Sequence, residues 1–177
     1  MGCWIKWPRR YEVINKPDFS DLFASPENFL AFGFGSGLAS RAPGTAGSLC
    51  SIPIVWLMGQ VEPIFLYGII CAACILIGIR VCEKAAQHLG NHDHPAIVWD
   101  EIVGMQITLI LVPTTWANLI IGLVLFRFLD IVKPWPVSWF DRNMKGGAGI
   151  MLDDIVAGAL AAMGLYGITI LYNAQYF

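Results

Sequence analysis

Five carboxylates stand where an apolar sequence has least use for them. Asp100 and Glu101 are adjacent, Asp130 lies inside Arg127-Phe128-Leu129-Asp130-Ile131-Val132-Lys133, and Asp153 and Asp154 follow the expected glycine-rich turn Gly146-Gly147-Ala148-Gly149. Hard divalent cations such as Mg2+ take a few carboxylate oxygens and keep several waters, so these residues could form an oxygen-ligand site. Each group also has a plainer explanation. Asp100 and Glu101 suit the positive end of a helix. One of Asp153 and Asp154 could cap a helix, although capping leaves the second unexplained. Asp130 falls at the C-terminal end of an apolar stretch, where the helix dipole disfavours an anion, so it needs a cation. Arg127 or Lys133, three residues away on the same helical face, could supply it, as could a metal.

Two glycine-rich runs could serve phosphate. Gly33-Phe34-Gly35-Ser36-Gly37 precedes Arg41-Ala42-Pro43-Gly44-Thr45-Ala46-Gly47-Ser48. Backbone N–H groups at a helix start bind anions, and Arg41 adds charge. Ser48 is placed as the N-cap of the apolar segment that follows. A flexible turn before a capped helix explains the same residues, and the spacing is not that of a Walker A loop. His92-Asp93-His94 is a weak metal motif. Cys71 and Cys74 fall in an apolar run and read as buried, inert thiols rather than a redox pair. No covalent nucleophile motif is visible. Carboxylates, Arg, Lys and glycine-rich backbone together are best used by a hard metal acting on a phosphate.

The elements that must position these residues are helices in lipid. Of 177 residues, 56% are hydrophobic and 14% charged, against roughly 25% charged in a soluble domain. The mean hydropathy is +0.62. Apolar stretches run over Leu49–Met58, Pro63–Ile79, Ile102–Val112, Trp116–Phe128 and Ile155–Tyr172. A span needs about 20 apolar residues, which the second and fifth approach and the others reach only with their flanks. Pro113-Thr114-Thr115 reads as the turn of a helical hairpin. Gly158 and Ala162, and Ala157 and Ala161, offer small-residue faces for close helix packing. No segment alternates as a membrane strand would. The expected fold is all-α, a polytopic membrane bundle of about five apolar helices. Residues 1–30 form an N-terminal interfacial arm, marked by Trp4, Trp7 and Tyr11 among Lys6, Arg9 and Arg10. Residues 31–177 form one membrane-embedded domain.

Charge orients this bundle. With the N-terminus inside and five crossings, all 11 Lys and Arg, and every one of the 13 carboxylates except Glu62, fall on one side. The positive-inside rule makes that side cytoplasmic. The chemistry is therefore expected at the cytoplasmic face. Ionisable groups are missing from the midplane, which weakens a transporter reading. No basic block suits nucleic acid.

These motifs, with Trp99-Asp100-Glu101-Ile102-Val103-Gly104 and Asp153-Asp154-Ile155-Val156-Ala157-Gly158, occur in the order of the phosphatidylglycerophosphatase A family, which the chain resembles from about Phe32 to Ala161. The resemblance implies a bacterial inner-membrane, Mg2+-dependent hydrolase. It would convert phosphatidylglycerophosphate, a lipid within the bilayer, to phosphatidylglycerol and inorganic phosphate. On that basis Asp100, Glu101, Asp130, Asp153 and Asp154 are expected to be both metal ligands and catalytic residues. Arg127, Lys133, Arg41, Thr45 and Ser48 are expected to bind substrate. The alternatives are a phosphatase for another lipid phosphate and a small non-enzymatic transporter.

Overall fold

The computed structural model describes residues 17–91 and 94–174. The expected interfacial aromatics Trp4, Trp7 and Tyr11, and His92 and Asp93 of the possible metal motif, lie outside the described residues. Within them the chain is all-helical. The helices are α1 (Phe19–Leu22), α2 (Pro26–Ala31), α3 (Pro43–Met58), α4 (Ile64–Leu89), α5 (Trp99–Leu109), α6 (Trp116–Val132), α7 (Val137–Asn143) and α8 (Gly146–Ala174), with a 3-10 segment at Gly33–Leu38.

Every expected apolar stretch has a helix at its centre, although Ile102–Val112 runs three residues past the end of α5, and the helices have different jobs. Two, α4 and α8, are long and apolar enough to cross a membrane. Their 26 and 29 residues extend about 39 and 44 Å at 1.5 Å per residue, against a hydrocarbon core of about 30 Å. Helix α3 is apolar but shorter. Helix α5, with 11 residues, is buried along nearly its whole length, from Trp99 through Leu109. It packs against α3, α4, α6 and α8. Its apolar residues therefore face protein, which explains why a stretch too short to span is nonetheless apolar throughout.

Small residues set the α5–α8 spacing. A Cβ on Gly158 would stand 2.6 Å from the Gly104 carbonyl oxygen, so the two backbones touch there. Ala157, Ala161 and Ala162 continue the buried stripe along α8. The expected hairpin is present: Thr115 caps α6 by accepting from the Asn118 N–H at 3.2 Å.

Several expected boundaries move. The glycines before Asp153 are not a turn: they are the first turn of α8, which starts at Gly146. Gly147 lies against the Ile79 carbonyl and the Glu83 side chain of α4. The Asp pair thus sits two turns inside a helix and caps nothing. Likewise α3 begins at Pro43, so Ser48 is not its N-cap. Ser48 is buried and donates to the Gly44 carbonyl at 2.9 Å. Residues 18–31, expected mostly in the arm, form α1 and α2, and α2 packs on α4.

Candidate active site

The site is built at the bundle end where α3, α5 and α8 begin and α6 finishes. Asp100 and Glu101 occupy the first turn of α5, which has no side-chain N-cap. Asp100 accepts the Glu101 N–H at 3.1 Å. From α8, Asp154 turns toward them, and one oxygen of each of Asp100, Glu101 and Asp154 lies within 4.8 Å of the other two. Gly104 and Gly158 create this meeting, because they let α8 approach α5 one turn further along each helix.

Cations flank the trio without filling it. Arg127 Nη1 is 2.7 Å from Asp130 and 3.8 Å from Glu101. The cation that Asp130 needs at its helix end is thus Arg127. The Asp130 carboxyl also comes within hydrogen-bonding reach of Asp154. Lys133 does not share the face of Arg127 and Asp130 as expected. It is the left-handed C-cap of α6, with φ at +46°. That turn sends its ammonium to Asp141 of α7 and to Asp153 of α8, the latter at 2.8 Å. Burial alone would lower its pKa, but the two carboxylates outweigh it and hold the ammonium above the usual lysine value.

The donor set fits a divalent cation. Glu101 Oε2 and Asp153 Oδ1 are buried without a hydrogen-bond partner among the described residues. Such oxygens are costly unless something positive faces them. Six carboxylates, Asp141 included, meet two side-chain cations here, and Arg127 reaches only Glu101 of the trio. All the candidate ligands are oxygen, which suits Mg2+. Three of the five expected ligands stand at ligand spacing. The other two, Asp130 and Asp153, are held by Arg127 and Lys133.

Groups able to hold an anion meet at the start of α3. Gly44, in the first turn of α3, lies against Glu101 and the Arg127 guanidinium, where a Cβ would collide with both. Helix α3 has no side-chain cap, so its first N–H groups keep no side-chain partner. Arg127 Nε likewise lacks a hydrogen-bond partner among the described residues. Thr45 follows Gly44 in this turn and is half-buried. Arg41 is exposed and forms no ion pair with any described residue. The first glycine run is spent on packing: Gly33 lies against Val98 and Ile102, and Gly37 against the Ala96 backbone. His94 is buried, with Nδ1 accepting the Ala96 N–H at 3.1 Å. Cys71 and Cys82 are buried free thiols, and Cys74 is half-buried and also free.

Sequence reasoning missed Asp141 and Glu83. Asp141 shares Lys133, and Glu83 caps α8 from another helix by accepting the Gly147 N–H. Nothing in spacing marked either: Lys133 and Asp141 are eight residues apart and lie on different helices, and Glu83 and Gly147 are 64 apart.

The model of the phosphatidylglycerophosphatase A family matches residues 29–169, a stretch that contains every residue of this site. The chain belongs to that family. A protein of Escherichia coli named phosphatidylglycerophosphatase A is 51% identical over 81% of this chain and 83% of its own length. One of the same name from Haemophilus influenzae is 38% identical over 92% of this chain and 97% of its own. A Bacteroides thetaiotaomicron protein named putative phosphatidylinositol-3-phosphatase is 37% identical over 71% and 82%. No solved structure matches. The family name denotes a phosphoric monoester hydrolase, and the chain is accordingly an enzyme of that class.

Proposed function

We propose that the chain hydrolyses the terminal phosphate monoester of phosphatidylglycerophosphate, giving phosphatidylglycerol and inorganic phosphate, with Mg2+ held by Asp100, Glu101 and Asp154. The observation that carries this reading is the trio of carboxylates at ligand spacing, beside an uncapped helix start and Arg127, in a chain of this family. A bound Mg2+ supplies positive charge for the phosphoryl oxygens and a more acidic water. Arg127 Nε and the first N–H groups of α3 donate to the remaining oxygens. Asp130, positioned by Arg127, takes the proton of the attacking water. The water oxygen bonds to phosphorus as the P–O bond to glycerol breaks, and the leaving oxygen takes up a proton from solvent. Lys133 ties α6, α7 and α8 together through Asp141 and Asp153. A route through an aspartyl phosphate is the competing mechanism, and it predicts labelled protein after acid quench.

The enzyme reads as a bacterial cytoplasmic-membrane protein with this site on the cytoplasmic side. Helices α4 and α8 are long enough to cross. On α6, Ile120, Val124, Phe128 and Ile131 form one exposed apolar stripe at helical spacing, suited to acyl chains. A lipid substrate then presents its headgroup to the charged end without leaving the bilayer.

The Bacteroides relative's name favours a second headgroup for the same chemistry. Release of inorganic phosphate by the purified protein, with and without Mg2+, should be compared on phosphatidylglycerophosphate, phosphatidylinositol 3-phosphate and phosphatidic acid. The proposal expects Mg2+-dependent release, fastest from the first. Faster release from phosphatidylinositol 3-phosphate would transfer the assignment, and release from none would end it.

A further inference from the structure

A second concave feature, apolar within and ringed by charged side chains, lies outside the site. Between the end of α4 and the start of α8 is a cavity of about 430 Å³ that includes none of the site carboxylates. Its volume is within the roughly 300–1,000 Å³ usual for ligand pockets. Arg80, Lys84 and Lys145 surround it, over a floor that includes Ile79 and Ala148. Its one carboxylate is already engaged: Glu83 accepts the Gly147 N–H and, at 2.8 Å, the Gln87 amide. Lys84 is paired with Glu27 of α2. Arg80 and Lys145 are exposed and form no ion pair with any described residue. Two uncompensated cations thus overlook one cavity.

What lies beneath them names the occupant. Along α4, Ile69, Ala73, Leu76, Arg80 and Lys84 follow at intervals of three or four residues, so they share one face. All five are exposed, Leu76 at 67%. That face is apolar up to Leu76 and cationic from Arg80 onward. A free anion would use the cations and leave the stripe bare. An anionic phospholipid uses both, with its phosphate at the cavity and its chains on the stripe.

We infer that the α4–α8 cavity is a binding site for the headgroup of an anionic diacyl phospholipid, separate from the hydrolytic site. It rests on the reading that α4 crosses a bilayer. Bound there, the lipid joins α4 to α8, the helix that carries Asp154.

Native mass spectrometry of the full chain in detergent tests this with phosphatidylserine, a diester that is neither substrate nor product of the proposed reaction. Phosphatidylcholine with the same acyl chains and inorganic phosphate are the other probes. The wild type is expected to retain phosphatidylserine at least tenfold more tightly than phosphatidylcholine, and millimolar phosphate should not displace it. Arg80→Gln with Lys145→Gln should remove this preference, while Arg80→Lys with Lys145→Arg should keep it. Equal retention of the two lipids, unchanged retention in the Gln pair, or full displacement by phosphate would each overturn the inference.

Discussion

Gly104 on α5 and Gly158 on α8 touch backbone to backbone, and this contact brings Asp154 to Asp100 and Glu101. The trio exists because two residues without side chains lie one turn beyond it on each helix. Replacing Gly158 with Ala puts a Cβ 2.6 Å from the Gly104 oxygen. Helix separation at a packed crossing costs about 1–3 kcal/mol. Thermal unfolding should show that loss, and the Mg2+ concentration giving half-maximal phosphate release should rise, because the ligands move apart.

Gly44→Ala should separate activity from stability. An added Cβ collides with Glu101 and the Arg127 guanidinium, yet Ala is the better helix former by about 1 kcal/mol. Phosphate release should fall about a hundredfold, the lower end for one lost transition-state contact. The unfolding temperature should change by only a few degrees. An equal loss of both would mean that Gly44 serves the fold alone.

Asp154→Asn should behave oppositely in the two assays. Asp154 is buried, facing Asp100 and Asp130. Removing its charge relieves repulsion between desolvated like charges, so the metal-free protein should gain about 1–3 kcal/mol. Turnover should be lost. Wild type should also gain about 2.7 kcal/mol when Mg2+ is at 100 times its dissociation constant. The variant should lose most of that gain, as thermal melts with and without Mg2+ would record.

Lys133→Gln should loosen three helices at once. It leaves Asp141 and the buried Asp153 without their cation. Stranding a largely buried partner costs about 3–5 kcal/mol, to be discounted here because Lys133 is partly exposed. The sign of the pH effect follows from the raised pKa of Lys133. Its stabilisation is complete below the unfolded lysine value and disappears only as pH rises through the higher folded one. The wild-type and variant stabilities should therefore differ by a constant amount from pH 6 to pH 9 and converge only in strong base. A difference that closes below pH 9 would contradict the pairing.

The carboxylates were legible in the sequence because an apolar chain has few polar groups, and each one must be compensated. The turn at Pro113–Thr115 was legible for a similar reason, since Pro and Thr interrupt an otherwise continuous apolar run. Other features were hidden. Apolar periodicity does not distinguish lipid from protein as the neighbour, so it did not show that the apolar residues of α5 face other helices. The glycines at Gly146–Gly149 read as a turn because glycine weakens helices, whereas close packing on α4 is what requires them. The left-handed turn at Lys133 took its ammonium away from Asp130, and no residue type announced it, since such conformations usually fall to glycine or asparagine. Asp141 was hidden by that same turn, which folds α7 back onto Lys133, and Glu83 was hidden because Gly147 is 64 residues away.

The most direct test of the shared cation is Mn2+ binding, followed by electron paramagnetic resonance on the purified full chain with Mg2+ as competitor. Wild type should bind at least one Mn2+ that Mg2+ displaces, and Asp100→Asn, Glu101→Gln and Asp154→Asn should each weaken that ion at least tenfold. Identical Mn2+ titrations for the wild type and all three variants would contradict a metal held between α5 and α8.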